Sequence, residues 1–161
     1  MSDHLEPLRA CGLLQALDDR ALTTLAEMAI PRRFQRGQAI FREGDLPPGM
    51  FVVVTGRVRI YKLAPNGKEH VLHLAGPGDT FAEVAVMGGY PCPAFAEAID
   101  PTDCLLLPLS PLRRALDTDH HLCRQLLTSM SRWVRHFVGL LEDIVLRDAV
   151  GRVARYLLEV S

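Results

Sequence analysis

What the 161-residue chain has little of narrows its nature quickly. Cysteine is scarce: Cys11, Cys92, Cys104 and Cys123 lie far apart, form no Cys-x-x-Cys pair, and so encode no disulfide framework. They read as reduced thiols buried as small apolar residues. An excess of basic charge is missing too. Lys and Arg number 18 against 19 Asp and Glu, a formal net charge of −1, which argues against a free-standing nucleic-acid binder. No long apolar run is present: the longest uncharged stretch, Val84 to Ala96, is broken by Gly88, Gly89, Pro91 and Pro93 and cannot span a bilayer. The opening Met-Ser-Asp-His-Leu-Glu lacks the basic and apolar segments of a secretory signal, so a cytoplasmic chain without membrane contact is expected. No Ser-His-Asp set, paired acid and base, or phosphate-binding loop is discernible, which leaves no basis for an enzyme. With 48% hydrophobic and 23% charged residues, the composition is globular rather than disordered.

Three zones follow one another along the chain. In residues 6–29, Leu13, Leu14, Leu17, Leu22, Leu25 and Met28 fall at helical spacing, with Asp18-Asp19 as a break and N-cap, so two short helices are expected before Pro31. From Arg32 to about Leu109 the period shortens. Ala39–Phe41, Met50–Thr55, Val58–Leu63, His70–Leu74 and Cys104–Leu107 are strand-like runs. They are separated by Gly-, Pro- and Asp-rich turns, with Asn66-Gly67 the clearest hairpin signal. Gly44, Gly56, Gly67 and Gly78 stand at strand ends, where a positive φ is expected.

The last zone is helical. A short helix begins at Ser110-Pro111, and Asp117-Thr118-Asp119 caps a second, expected from about His120 to Arg147. Its apolar residues repeat in heptads: Cys123, Met130, Phe137 and Ile144 at one position, Leu127, Val134 and Leu141 at the other. Leu126, Trp133 and Leu140 widen that stripe, so one side of the helix can pack on its own domain and the other on a second copy. Met130, Val134, Phe137, Leu141 and Ile144 are the expected dimer contacts. The expected divisions are 1–118 for the N-terminal helices and strand domain, 119–148 for the dimerisation helix, and 149–161 for the start of a hinge and a further domain. The helical pattern of Ala149 to Val160 runs to the last residue without a cap, which suggests a fragment.

The order of pieces resembles the Crp–Fnr superfamily of bacterial transcription regulators. The residues that carry the likeness are Phe41-Arg42-Glu43-Gly44-Asp45, the run from Met50 to Tyr61, Pro65-Asn66-Gly67-Lys68-Glu69, and Gly76-Pro77-Gly78-Asp79-Thr80-Phe81-Ala82-Glu83. The long helix and Asp148 to Ala154 continue it. The resemblance implies an α+β fold: a cyclic-nucleotide-binding-like β-roll (jelly roll) flanked by short N-terminal helices and followed by a long dimerisation helix. It also implies a homodimeric sensor that meets promoter DNA only through a helix-turn-helix domain of the full-length protein.

The resemblance bears on the signal as well. Cyclic-nucleotide binders of the superfamily pair the phosphate with an arginine and a following hydroxyl, and the ribose with a glutamate. Here Glu83 is kept, Ala82 replaces the glycine before it, and the arginine-serine position falls on about Cys92-Pro93. No Lys, Arg, Ser or Thr lies between Glu83 and Glu97, so a phosphate lacks its charge-assisted partner, although backbone amides at a helix start remain open as a cradle. Iron–sulfur sensing needs several N-terminal cysteines, and only Cys11 is there. The cysteine and histidine of the carbon-monoxide sensors are replaced by Ala82 and Val84.

The likeness is greatest to the DNR-like, nitric-oxide-responsive branch, thought to use haem. It implies haem between Phe81, Glu83, Val84 and Met87 on one side and Trp133 and Phe137 on the other. Among His70, His73, His120, His121 and His136, the favoured iron ligands are His73 and His136, with His120-His121 expected in solvent. Cys92 is expected to be an inert thiol. The alternatives are a sensor for cAMP or another small effector in the same pocket, and a cofactor-free dimerisation module.

Overall fold

The computed structural model describes residues 2–160. The chain opens with helix α1 (Ser2–Arg9), a single 3-10 turn over Gly12–Leu14, and helix α2 (Asp19–Met28). Asp18 caps α2 by accepting from the Ala21 N–H at 2.9 Å, as the paired aspartates led one to expect. Eight strands and a short helix follow: β1 (Ile30–Phe34), β2 (Ala39–Phe41), β3 (Gly49–Thr55), β4 (Val58–Leu63), β5 (Glu69–Ala75), β6 (Thr80–Phe81), α3 (Glu83–Gly88), β7 (Phe95–Ala98) and β8 (Thr102–Pro108). Helices α4 (Leu109–Thr118) and α5 (His120–Val160) complete the chain.

The strands form two four-stranded antiparallel sheets, ordered β1-β8-β3-β6 and β2-β7-β4-β5. Why β3 and β8 read as unbroken apolar runs is now plain, because both are buried on both faces. Met50, Val52, Leu105 and Leu107 point into a core shared with α1, α2, α4 and the start of α5. Their neighbours Phe51, Val53, Cys104 and Leu106 point the other way, into a second core between the sheets with Phe34, Phe41, Val58 and Phe81. The result is three layers: helices, first sheet, second sheet.

The expected closed roll is not what forms. Neither sheet is closed into a barrel or jelly roll: among the described residues the edges β1 and β6 of one sheet pair with neither β2 nor β5 of the other. Closure requires ladders that turn the corner from sheet to sheet. Here β6 has only two residues before the chain turns into α3, and β2 has three with its register broken at the pairing to β7. These edges are too short to carry a ladder across.

The Asn66-Gly67 turn does join β4 to β5, with Gly67 at φ +83° and Lys68 N–H donating to Asn66 Oδ1 at 3.1 Å. Gly56 is needed for two reasons at once. Its φ is +91°, and a Cβ there would lie 2.5 Å from the Pro101 carbonyl oxygen.

α5 has 41 residues, about 60 Å at 1.5 Å per residue, and runs through Gly139 and Gly151 without a break. Leu122 and Leu126 seat its beginning in the helical core. A polar tie supports that seat: His121 Nε2 lies 2.6 Å from Asp18 Oδ2, and Gln125 Oε1 accepts from the Asp18 N–H at 3.0 Å. That hydrogen bond from His121, with the Ala21 amide second, pushes the Asp18 carboxyl down to about 2. His120 is in solvent as expected, whereas His121 is half-exposed and engaged. Val134 is exposed, and beyond Phe137 the helix leaves the body, with Leu141, Ile144 and Val145 exposed. Among the described residues, no helix is long and apolar enough to cross a membrane.

Replacing Leu122 or Leu126 by Ala removes the wedge that seats α5. Each variant should lose about 2–5 kcal/mol of unfolding free energy in urea titrations, whereas Val145→Ala should lose under about 0.5 kcal/mol.

Candidate functional site

A cavity of about 250 Å³ lies where the second sheet, the β6–α3 turn and α5 meet. Each element contributes for a local reason. Phe51 and Phe81 pair across β3 and β6 and stack at 4.7 Å, and Phe41 joins them at 6.1 Å from Phe81, so an aromatic floor is built from three strands. Ile60 comes from β4, and Leu72 and His73 from β5, where the register breaks between Ile60 and Tyr61. The break leaves Leu72 as the extra residue of a bulge beside His73, and residues 72 and 73, neighbours on one strand, both line the cavity. Pro93 and Ala94 form a side wall, held by Cys92, whose N–H donates to the Asp45 carbonyl and whose carbonyl accepts from Gly44, both at 2.8 Å. Trp133 and Phe137 of α5 supply the roof, edge to face at 4.7 Å.

Glu83 is the one carboxyl in this lining. It opens α3, and the turn into that helix is strained: Ala82 adopts a left-handed backbone at φ +67°, the only non-glycine to do so among the described residues. Glu83 is 7% exposed, and its Oε2 is buried without a hydrogen-bond partner. Burial pushes its carboxyl up, opposed by hydrogen bonding from its own backbone N–H and the Thr80 hydroxyl and by nearby His73. The Cys92 thiol is also pushed up, first by burial and then by Asp45, which makes it a poor nucleophile.

No Lys or Arg lines the cavity. Arg59, beside Ile60 on β4, points to the other face of that strand. There its guanidinium bonds Glu69 and, at 2.8 Å, Glu97, and lies 4.1 Å above the Tyr61 ring. It is fully committed.

Of the residues singled out from the sequence, Phe81, Glu83, Val84, His73, Trp133 and Phe137 share this cavity. Met87 does not: one turn further along α3, it lines a separate groove with Leu116, Leu127 and Met130. His136 lines a separate crevice with Gly12, Gln15, Ser129 and Arg132, on the side of α5 facing the N-terminal turn. The two histidines therefore do not converge, although Trp133 borders both spaces. Among the described residues, no three His, Cys, Asp or Glu side chains stand together as a metal-holding group. Phe41, Ile60, Leu72, Thr80 and Ala94 escape sequence reasoning, because only the strand pairing brings them here.

The cavity is a concave, mostly apolar space with one buried acid, roofed by a long helix, the kind of site in which small molecules bind. The model of the cyclic nucleotide-binding domain family matches residues 31–119, and the chain belongs to that family, as a regulatory domain of the Crp–Fnr superfamily. A relative from Mycobacterium tuberculosis, a CRP-like cAMP-activated global transcriptional regulator, is 29% identical over 97% of this chain and 70% of its own length. The structure of DNR from Pseudomonas aeruginosa is 26% identical, with a TM-score of 0.76 over 98% of this chain and 70% of that one. The N-terminal domain of a transcriptional regulator from Streptomyces coelicolor A3(2) is 27% identical, with a TM-score of 0.69 over 84% of this chain and 94% of that one.

The position of Ala82 is tested directly. Ala82→Gly relieves a left-handed alanine and should raise stability by about 1 kcal/mol in thermal unfolding without changing the backbone around Glu83.

Proposed function

We propose that this chain is the sensor domain of a homodimeric transcription regulator, and that a small effector held in the cavity is read out through α5. The observation that carries this is the dual setting of one helix. Trp133 and Phe137 roof the cavity, and the same helix continues as an exposed apolar face through Val134, Leu141 and Ile144. An effector that fills the space under Trp133 and Phe137 favours one position of the helix over another, which is what an effector-driven shift requires. The exposed face pairs with a second copy along the heptad seam. In the intact protein the two helices would then set the spacing of DNA-binding domains on promoter DNA.

Haem, with nitric oxide as its signal, fits this site poorly. The cavity falls below the roughly 300–1,000 Å³ usual for drug-sized ligands, and a tetrapyrrole is larger than most of these. Of the two favoured histidines only His73 borders it. The reading that suits the geometry better is the small organic effector, the role in which the mycobacterial relative's name places cAMP. A haemin titration followed by absorbance should therefore give no saturable one-per-protomer low-spin band. A saturable band lost in His73→Ala would reinstate haem.

The seam has its own test. Leu141→Glu combined with Ile144→Glu should convert the dimer to a monomer in light scattering at micromolar protein, with the fold intact by circular dichroism. An unchanged dimer refutes the helix as the interface.

A further inference from the structure

The crevice that shares Trp133 with the cavity has a different chemistry. It encloses about 170 Å³ between the N-terminal 3-10 turn and one stripe of α5, where Ser129, Arg132, Trp133 and His136 follow one another at helical spacing. The turn is held in place: Leu13 and Leu14 are buried, and the Gly12 N–H donates to the Gly78 carbonyl at 3.1 Å. Both walls are therefore preformed.

The polar groups of the lining are donors. The Arg132 guanidinium and the Trp133 indole can only donate, Gln15 and His136 can donate, and no Asp or Glu contributes among the described residues. Ser129 is 4% exposed and its hydroxyl is closed off, so it is wall and not contact. These donors are also uncommitted. Arg9, Arg33, Arg57 and Arg59 each hold a carboxylate. Among the described residues Gln15, Arg132, Trp133 and His136 have neither a hydrogen-bond nor an ion-pair partner, and His136 meets only the Phe137 ring. Their own helix supplies none. Three and four residues from Arg132 stand Thr128, Ser129, Arg135 and His136, and no Asp or Glu occurs from His120 to Leu141. A second arginine so close raises the local potential, and the charge that the crevice lacks is negative.

We infer that this crevice binds a phosphate group, with Arg132 as its two-pronged anchor and Gln15, His136 and the Trp133 N–H as further donors. The planar fork of arginine matches two oxygens at once. Four donor groups exceed what the two oxygens of a carboxylate engage, and the space is smaller than a drug-sized pocket. The site is separate from the effector cavity, which Arg132 does not line, and neither reading depends on the other.

Trp133 is the chain's one tryptophan, so its indole N–H gives a single resonance in proton–nitrogen correlation spectra. That resonance is followed at pH 7 and constant ionic strength while chloride is exchanged for inorganic phosphate, glycerol phosphate or acetate. Phosphate, free or esterified, should shift it saturably and bind about tenfold or more tightly than acetate, and the tighter of the two phosphates tells a free ion from an ester. Arg132→Gln should weaken phosphate about tenfold or more, and Arg132→Lys, which keeps the charge without the fork, should fall between that variant and the unaltered chain. Arg135→Gln removes an equal charge outside the lining and should cost less than about threefold at this ionic strength. Both positions are exposed on α5, so the variants keep the fold. Equal losses at Arg132 and Arg135 would reduce the effect to diffuse attraction and overturn the site. A saturable shift that survives Arg132→Gln would move the anion to the effector cavity and overturn it too, as would the absence of any saturable shift. Acetate matching phosphate overturns the phosphate assignment. None of these failures touches the effector cavity's own reading.

Discussion

Everything distinctive about this molecule depends on how α5 is seated. Leu122 and Leu126 drive its first turns into the helical core, and the Asp18–His121–Gln125 tie fixes its entry. From that anchored end the helix passes over the cavity at Trp133 and Phe137 and then runs free of the body. A rigid rod held at one end, touched in the middle and bare beyond amplifies a small displacement at the middle into a larger one at its tip. The seat is apolar, with Leu122 and Leu126 buried among Leu8, Leu14 and Leu112. The path of the helix follows from where its hydrophobic residues find partners.

The cavity beneath shows a second economy, in charge. The ionic contacts of Arg33 with Asp103, Arg57 with Asp100 and Arg9 with Asp19 lie on the surface. Such exposed pairs add little stability each, and neither they nor the Arg59–Glu69–Glu97 group lines the cavity. Glu83 is the one carboxyl of the lining, with Thr80 and His73 beside it. The chain belongs to a family whose model is that of a cyclic nucleotide-binding domain, and its cavity is lined by one carboxyl and by no Lys or Arg.

Much of the strand frame was readable in advance for a physical reason. Turn chemistry is local: Asn66-Gly67, Gly56 and Gly78 mark their turns whatever the rest of the chain does, and each has the positive φ expected of it. Strands β2 and β4 have the limits their apolar runs suggested. β1, β6 and β7 were missed because they borrow their burial from partners. Ile30–Phe34 is mostly exposed, Thr80–Phe81 is too short for any period, and Phe95–Ala98 alternates only faintly. The false expectation of a closed roll has the same origin, since whether two edges meet is a property of pairs of strands far apart in the chain.

The candidate site divides along the same line. Residue order alone determined that an acid follows Phe81 and Ala82, that no cation or hydroxyl lies between Glu83 and Glu97, and that a heptad stripe occupies the long helix, because composition and spacing are local facts. Only the tertiary structure decided that His73 and His136 face different spaces, that Met87 lines a different groove, and that Phe41, Ile60 and Leu72 line the cavity with Trp133. The path of α5 over the sheet and the broken β4–β5 register set those directions, and both are fixed by packing between segments that the chain itself keeps far apart.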